Sequence, residues 1–275
     1  MKVFLYDLDK CNGCHNCQIA CKDEHVGNDW SPYALPQPDT GQFWCKVDEE
    51  VCGSVPHVRV NYLPHQCNHC DDAPCIAVAP EAVHKRDDGL VLIDPDAAKD
   101  LRSLVDSCPY GAIFWNEELG LPQKCTGCAH LLDDGWAEPR CVDACCTGAL
   151  RFGEEEDFAE ELARAEVLLP QAGTRPRVHY LNKPKRFIAI TMVDVEGDEV
   201  VEGAAVTLQR AEGAETVSVL ATDEFGDAWF ENLAPDCYRL RVQKEGYLDL
   251  ACSFDVTEKD QAVAEMRFYR VPIAI

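Results

Sequence analysis

The residues of this sequence best suited to chemistry are its cysteines, seventeen in a chain of 275 residues. Fifteen lie between Cys11 and Cys146, and four stand close together as Cys11-x2-Cys14-x2-Cys17-x3-Cys21. This spacing is typical of a tight loop that holds three corners of a [4Fe–4S] cluster, with the fourth thiolate crossing to a neighbouring cluster. Four cysteines this close together rarely form one closed tetrahedral zinc site. The motif therefore predicts iron–sulfur binding near the N-terminus.

Three further cysteine motifs follow, and two of them are incomplete. The second motif is Cys67-x2-Cys70-x4-Cys75, the third keeps Cys108 before Pro109, and the fourth is Cys125-x2-Cys128-x12-Cys141-x3-Cys145, with Cys146 next to it. The positions that would complete motifs two and three are Ala79, Ala98, Leu101 and Leu104. Taken alone, the fourth motif fits a zinc ribbon as well as an iron–sulfur site, and the first motif makes iron the stronger expectation.

Charge and composition exclude several classes of function. The chain carries 49 acidic and 25 basic residues, and its formal net charge of −24 at pH 7 argues against binding to nucleic acid or to an anionic membrane surface. The 47% hydrophobic content is ordinary for a chain with a packed core. The N-terminal sequence has no apolar signal segment, and no run of 18 apolar residues occurs. We therefore expect a cytoplasmic protein with reduced thiols, no membrane anchor and no nucleic-acid partner.

The hydrophobic pattern divides the chain into two predicted domains, 1–185 and 186–275. The cysteine motifs end near residue 153, and an acidic helix over 154–169 and a Pro-rich, basic linker over 171–186 follow. From Phe187 onward, apolar and polar residues alternate in seven short runs separated by turn signals. This pattern predicts a seven-stranded, all-β sandwich or small barrel. Neither domain contains a recognisable catalytic motif.

Four segments, in this order, resemble the four-cluster ferredoxin-type subunits of molybdopterin enzymes related to DMSO reductase: CNGCHNCQIACKDEH, CNHCDDAPC, DSCPYGAIFW and KCTGCAHLLDDGWAEPRCVDACCTGAL. The resemblance covers about residues 1–153. It implies an α+β fold, a bacterial-ferredoxin-like double module with Fe–S clusters, which an all-β domain follows here. The stretch TDEFGDAWFENLAPDCYRL resembles prealbumin-like or Cna-B-type domains, which implies a prealbumin/Ig-like sandwich or barrel but no activity.

In the family that this chain resembles, motifs one and four exchange ligands, and so do motifs two and three. Carried over to this sequence, the resemblance implies three [4Fe–4S] clusters. Their ligands would be Cys11, Cys14, Cys17 and Cys145 for cluster 1, Cys21, Cys125, Cys128 and Cys141 for cluster 2, and Cys67, Cys70, Cys75 and Cys108 for cluster 3. A fourth site would need Ala79, Ala98, Leu101 and Leu104, none of which can bind iron. If four of sixteen ligands were lost at random, roughly 4 of 1,820 choices would empty a single site. We therefore expect one site deleted whole and filled by apolar side chains.

Five cysteines fall outside these ligand sets: Cys45, Cys52, Cys146, Cys237 and Cys252. Cys146 adjoins Cys145 and is the alternative ligand at that corner of cluster 1. We expect the other four to be buried thiols rather than disulfides or metal ligands. Three histidines lie beside candidate ligands, and we expect them to shield or orient the sites rather than bind iron: His15, His69 and His130.

The resemblance implies an electron-transfer subunit whose partner is a large catalytic subunit that carries the molybdopterin-bound Mo, in a heterodimer or a multiple of it. A chain with three clusters, an added β domain and no signal segment is most similar to the small subunits of pyrogallol–phloroglucinol transhydroxylases. Those enzymes move hydroxyl groups between trihydroxybenzenes with no net electron change, and catalysis would lie in the partner chain. The alternatives are a subunit of another molybdopterin oxidoreductase, such as a resorcinol-type hydroxylase, a freestanding soluble ferredoxin, and a zinc-stabilised scaffold.

Overall fold

A computed structural model describes residues 1–213 and 215–271, apart from the side chain of Ala264. The described chain divides into two compact units. The first unit comprises Met1–Glu49 and Tyr62–Lys183, and the second comprises Glu50–Asn61 and the chain from Pro184 onward. Glu50–Asn61 thus lies within the sequence range that we predicted for the first domain but clusters with the second unit.

The chain up to Leu181 forms short elements. The strands are β1 (Lys2–Asp7), β2 (Cys45–Ser54), β3 (His57–Gln66), β4 (Val83–Lys85), β5 (Val91–Ile93), β6 (Phe114–Asn116), β7 (Leu121–Gln123), β8 (Leu150–Glu154) and β9 (Val178–Leu181). The helices are α1 (Asn16–His25), α2 (Pro74–Val78), α3 (Ser103–Asp106), α4 (Ala129–Asp133), α5 (Arg140–Asp143) and α6 (Ala159–Leu162), with 3₁₀ turns at Glu155–Phe158 and Pro170–Ala172. None of the helices in the described residues is long and apolar enough to cross a bilayer.

The main sheet of the first unit has the strand order β8-β1-β9. β1 pairs antiparallel with β8 and parallel with β9, so that Phe4 lies opposite both Phe152 and Val178. All residues of β1 after Lys2 are buried, because a central strand is covered on both faces. Two antiparallel hairpins, β4–β5 and β6–β7, separate the later cysteine motifs along the chain.

The predicted helix over 154–169 is wrong for half of its length. It is present only as the 3₁₀ turn Glu155–Phe158 and the single helical turn α6. The chain then leaves the helical path, because the N–H and C=O of Glu166 pair with the backbone of Tyr180. Pairing with a neighbouring strand thus outweighs the helical spacing of the apolar residues.

The predicted linker over 171–186 is also wrong, because it contains β9. Val178 is 0% exposed and Tyr180 is 1% exposed, as expected for a strand inside the main sheet. Two of the basic residues that suggested a linker form ion pairs. Arg177 bonds Asp71 at 2.6 Å, and Arg175 bonds Asp72 at 2.6 Å.

The chain from Arg186 forms seven strands in the described residues. They are β10 (Arg186–Asp194), β11 (Ala205–Arg210), β12 (Thr216–Ala221), β13 (Asp227–Leu233), β14 (Cys237–Gln243), β15 (Leu250–Asp255) and β16 (Gln261–Phe268). One sheet has the order β13-β10-β16 and the other has the order β12-β11-β14-β15. Alternate residues of β14 are buried, and Leu240 packs in one core with Ile190 and Phe230 of the other sheet. This β-sandwich confirms the predicted all-β architecture.

Glu50–Asn61 completes the core of the second unit. Cys52 packs against Phe187 and Ala189, both of which are 0% exposed. The buried His57 is fixed through Thr191. The hydroxyl of Thr191 donates to Asp227 at 2.6 Å, so its oxygen accepts the Nε2–H of His57 at 2.7 Å. The second unit is therefore assembled from two separate stretches of sequence.

Candidate metal centres

Two of the cysteine loops depend on glycine. Gly13 has a φ of +68°, and a Cβ at this position would lie 2.2 Å from the ring of Tyr62. Gly127 has a φ of +64°, and a Cβ there would lie 2.7 Å from the side chain of Leu90. A side chain would clash at either position and would strain the left-handed backbone. The first and fourth motifs therefore need a glycine directly before their second cysteine to make these tight turns.

The first group of cysteines joins the N-terminal motif to the end of the fourth motif. Burial raises the pKa of Cys11, and so do the neighbouring sulfurs of Cys17, Cys145 and Cys14. Burial also acts on Cys145, but N–H groups, first that of Leu150 at 3.3 Å from its Sγ, outweigh burial and lower its pKa. The structure thus brings together the four cysteines that we predicted for cluster 1.

The second group is formed around the C-terminal half of α1. Burial raises the pKa of Cys21 well above its usual value, and the sulfurs of Cys45, Cys125 and Cys128 add to this effect. A hydrogen bond with Cys45 lowers the pKa of Cys141, but burial and the sulfurs of Cys128, Cys21 and Cys125 raise it to about 12. The four cysteines predicted for cluster 2 therefore lie together. Cys17 and Cys21 are one helical turn apart in α1 but belong to different groups.

The third group comes from motifs two and three. Cys67, Cys70, Cys75 and Cys108 line one pocket, together with Lys124 and Tyr110. Burial raises the pKa of Cys70 to about 11, and the sulfurs of the other three contribute to this increase. The structure therefore also brings together the four cysteines predicted for cluster 3.

Apolar packing fills the four positions at which the sequence predicts a deleted site. Ala98 and Leu104 are 0% exposed, and Ala79 and Leu101 pack against the same hydrophobic cluster. The backbone still makes tight turns here, since the N–H of Leu101 donates to Ala98 and the N–H of Leu104 donates to Leu101, both at 3.1 Å. Ala79, Ala98, Leu101 and Leu104 are therefore neighbours in space.

The three groups fit [4Fe–4S] clusters by their donor sets. Each offers four thiols, and each receives a backbone N–H at a sulfur: His69 to Cys67 at 3.5 Å, Gly127 to Cys125 at 3.3 Å and Leu150 to Cys145 at 3.3 Å. Such hydrogen bonds are a feature of protein-bound iron–sulfur clusters. Burial in apolar surroundings raises the pKa of a thiol, whereas bound iron stabilises the thiolate form.

The described residues contain no group of three His, Cys, Asp or Glu side chains placed to hold a single metal ion. The four cysteines of the third group instead line one pocket as separate thiols.

The cysteines outside the three groups differ in their surroundings. Cys45 is 1% exposed, and hydrogen bonds link its thiol to those of Cys17 and Cys141. It therefore lies between the first and second groups. Cys146 is exposed, and its Sγ lies 3.9 Å from that of Cys14. Among the described residues, all cysteines are free thiols. The prediction that Cys237 is buried is wrong, because the alternation of β14 turns it outward while Tyr238 points inward.

The three histidines singled out in the sequence have other partners. His15 bonds Glu49 at 3.0 Å, and His130 bonds Glu24 at 3.1 Å. The Nδ1 of His69 accepts the N–H of Val91 at 3.0 Å, which fixes this buried ring beside the second motif. These hydrogen bonds fix segments of the chain next to the cysteine groups.

Sequence reasoning missed two buried residues near the cysteines. The Nε2 of His25 lies 3.9 Å from the Sγ of Cys128, and burial lowers the pKa of His25 to about 3, which keeps the ring neutral. Lys124 is 3% exposed and lines the pocket of the third group. Its position directly before Cys125 was a signal in the sequence, and His25 stands one helical turn after Cys21.

Two known domain families match this chain. A 4Fe-4S dicluster domain matches residues 58–155, and a carboxypeptidase regulatory-like domain matches residues 188–268. The first match includes cysteine motifs two, three and four, and the second includes the β-sandwich strands. The two matches confirm the predicted fold class, a ferredoxin-like iron–sulfur module followed by an Ig-like β domain.

Relatives among known proteins cover most of the chain. The pyrogallol hydroxytransferase small subunit of Pelobacter acidigallici is 39% identical over 252 residues, which is 88% of this chain and 90% of the relative. One subunit of the tetrathionate reductase of Salmonella typhimurium is 34% identical over 69% of this chain and 76% of its own length. One component of the anaerobic dimethyl sulfoxide reductase of Escherichia coli K12 is 34% identical over 67% of this chain and 86% of its own length. This chain therefore belongs to the family of iron–sulfur electron-transfer subunits of molybdopterin enzymes.

Proposed function

We propose that this chain is the iron–sulfur subunit of a cytoplasmic transhydroxylase that acts on trihydroxybenzenes. The observation that carries the proposal is the set of three complete cysteine groups beside one group replaced whole by apolar residues. The relative named pyrogallol hydroxytransferase small subunit supports it, since the alignment spans 88% of this chain.

The proposed ligands follow the grouping of the thiols. Cluster 1 would be held by Cys11, Cys14, Cys17 and Cys145, cluster 2 by Cys21, Cys125, Cys128 and Cys141, and cluster 3 by Cys67, Cys70, Cys75 and Cys108. When bound, each [4Fe–4S] cluster supplies a site that gains or loses one electron. Backbone N–H groups and buried side chains of this chain hold the ligand sulfurs in place and keep water away from them.

The order of the three groups supports electron transfer within the chain. Cys45 lies between the first and second groups, through its bonds to Cys17 and Cys141. Burial raises the pKa of Cys125 to about 12, and the sulfur of Cys67 contributes to this increase. The second and third groups therefore adjoin at these two cysteines. The groups therefore follow one another in the order first, second, third, and the apolar fourth position adjoins the third.

The missing fourth site agrees with the chemistry of hydroxyl transfer. A reaction that moves a hydroxyl group from one aromatic ring position to another has no net electron change, so it needs no outlet to a membrane acceptor. We propose a large partner subunit with molybdopterin-bound Mo as the site of catalysis, and no membrane anchor subunit.

Anaerobic purification of the native complex tests this function. We expect a larger Mo-containing chain to co-purify, about twelve iron atoms per copy of this chain, and conversion of pyrogallol to an isomeric trihydroxybenzene. A chain that elutes alone at 30.6 kDa with its iron bound would instead indicate a freestanding ferredoxin. Colourless protein that contains zinc would contradict iron–sulfur function altogether.

A further inference from the structure

Lys124 is a cation buried at the junction of the second and third cysteine groups. It is 3% exposed. Its Nζ donates to the carbonyl oxygen of Cys125 at 3.1 Å and to that of Val91. The same side chain lines the pocket formed by the four cysteines of the third group. Lys124 therefore directly precedes a proposed ligand of cluster 2 and lines the pocket of cluster 3.

Nothing else in the described residues neutralises this ammonium group. No described carboxylate lies within 4.0 Å of it, and its hydrogen-bond acceptors are neutral carbonyl oxygens. Lys85 shows the contrast, because it lies beside the second cysteine motif but is paired with Asp71 at 2.5 Å. Burying an unpaired charge is costly, so a compensating negative charge is expected nearby. Four thiolates around a [4Fe–4S] core carry a net negative charge and would supply it.

The neighbouring groups respond to this charge. Burial raises the pKa of Cys75 and of Cys125, and the Lys124 ammonium opposes the increase in both. Burial lowers the pKa of His69 well below its usual value, and Lys124 lowers it further. The charge of Lys124 is therefore felt on both sides of the junction.

We propose that Lys124 is a positioning residue that raises the reduction potentials of clusters 2 and 3 together. The inference rests on the proposed function, since it requires both clusters. Each cluster takes up one electron on reduction, from the 2+ to the 1+ core, and no proton is needed. A fixed positive charge stabilises the more negative, reduced state, and the effect is strong where water is excluded. Cluster 1 lies beyond the second group and serves as an internal reference.

The test is an EPR-monitored redox titration of the anaerobic complex, with dithionite as the electron donor. Lys124→Gln removes the charge but keeps an N–H donor for the two carbonyl groups. We expect about a tenfold lower ratio of reduced to oxidised cluster at a given potential, a downward shift of about 59 mV, for two of the three clusters. Lys124→Arg, which keeps the charge, should restore the wild-type potentials.

Lys244→Gln is the matched control. Lys244 also donates to two backbone carbonyl groups, those of Glu202 and Gly203, but it lies in the second unit. This variant should leave all three potentials unchanged. A Lys124→Gln protein with full iron and wild-type potentials would overturn the inference.

Iron analysis separates this inference from the proposed function. Wild-type protein with far fewer than about twelve iron atoms per chain would contradict the three-cluster function itself. If Lys124→Gln loses iron, Lys124→Met is titrated instead, because its unbranched side chain fills a similar space. Unshifted potentials in that variant would again overturn the role of Lys124.

Discussion

A cysteine must lose its proton before it binds iron, and the surroundings of each thiol decide how costly this is. Burial raises the pKa of Cys128 to about 12, and the neighbouring sulfur of Cys125 adds to the effect. In contrast, N–H groups lower the pKa of Cys145 in spite of its burial. The thiols of this chain therefore differ in how easily they lose a proton. We expect the group of Cys145 to bind iron more readily than the group of Cys128.

Replacing Cys21 tests the exchange of ligands between motifs. Cys21 follows Cys17 by four residues but lies with Cys125 and Cys128. We expect Cys21→Ser to lose cluster 2 and to lower the iron content from about twelve to about eight atoms per chain, because serine is a poor substitute for a cluster thiolate. Iron analysis and EPR of the reduced protein measure this, and cluster 1 should keep its signal.

Cys237→Ser is the control for the loss of a thiol. Cys237 is exposed and lies in β14, so its replacement should leave the iron content unchanged. Loss of the cluster 1 signal in Cys21→Ser, with cluster 2 intact, would show that the proposed ligand exchange is wrong.

The thiol groups could be predicted because the order of the cysteine motifs resembles that of a known family, whose exchange of ligands between motifs implies the grouping. Lys124 stands directly before a candidate ligand in the sequence, but its burial beside the third group could not be predicted in this way. Its burial depends on a bond to Val91, which is distant in sequence, and on a pocket made by two other motifs. The exposure of Cys237 was predicted wrongly because the register of β14 decides which face each residue occupies.

At the scale of elements, the apolar replacement of the fourth site is a packing unit of its own. Leu104 is 0% exposed and packs with Ala98 and Ile113. We expect Leu104→Ala to destabilise the first unit by about 2–5 kcal/mol, because it leaves a cavity in a closed core. Anaerobic denaturant unfolding measures the change, and the iron content should stay at about twelve atoms per chain.

Leu169→Ala serves as the control, since Leu169 is 40% exposed. It should change stability by less than about 0.5 kcal/mol. A Leu104→Ala protein as stable as this control would show that the site is loosely packed. Loss of about four iron atoms in Leu104→Ala would show that this region does take part in holding a cluster.

A chain truncated after Lys185 tests how the second unit is built. We expect it to keep its iron, because all twelve proposed ligands lie before this point. We also expect it to aggregate, because Cys52 and His57 lose the partners that bury them. Iron analysis and light scattering measure the two effects.

A second truncated chain, with Glu50–Asn61 replaced by an Asn-Gly turn, is the matched variant. It should keep the same iron content and remain monodisperse. If both truncated chains lose all iron, the two units depend on each other for folding, and separate units would be the wrong description.

The elements of the second unit were easier to predict than those before it. Several of its strands alternate clearly, as in β14, where every second residue is buried. β9 is only four residues long and lies among basic residues, so its sequence does not reveal that it completes the main sheet. Its position is set by pairing with β1, a partner far away in sequence.

At the scale of the whole molecule, the proposed loss of a fourth site predicts that the chain passes no electrons to a membrane acceptor. We expect the native complex not to reduce quinone analogues at the rate of turnover, because apolar residues occupy the position next to the third group. The measurement compares a quinone analogue with a soluble viologen dye, both under anaerobic conditions. Quinone reduction at the turnover rate would show that cluster 3 serves as an outlet.

The contribution of Glu50–Asn61 to the second unit also sets an order of events during synthesis. The first unit is complete once Lys183 has left the ribosome, and N-terminal units generally fold first. Glu50–Asn61 emerges early but must wait for β10 and β13 before its buried face is covered. Iron can therefore be inserted while the sandwich is still unfinished. In an incomplete chain, chaperones and proteases can bind this uncovered segment.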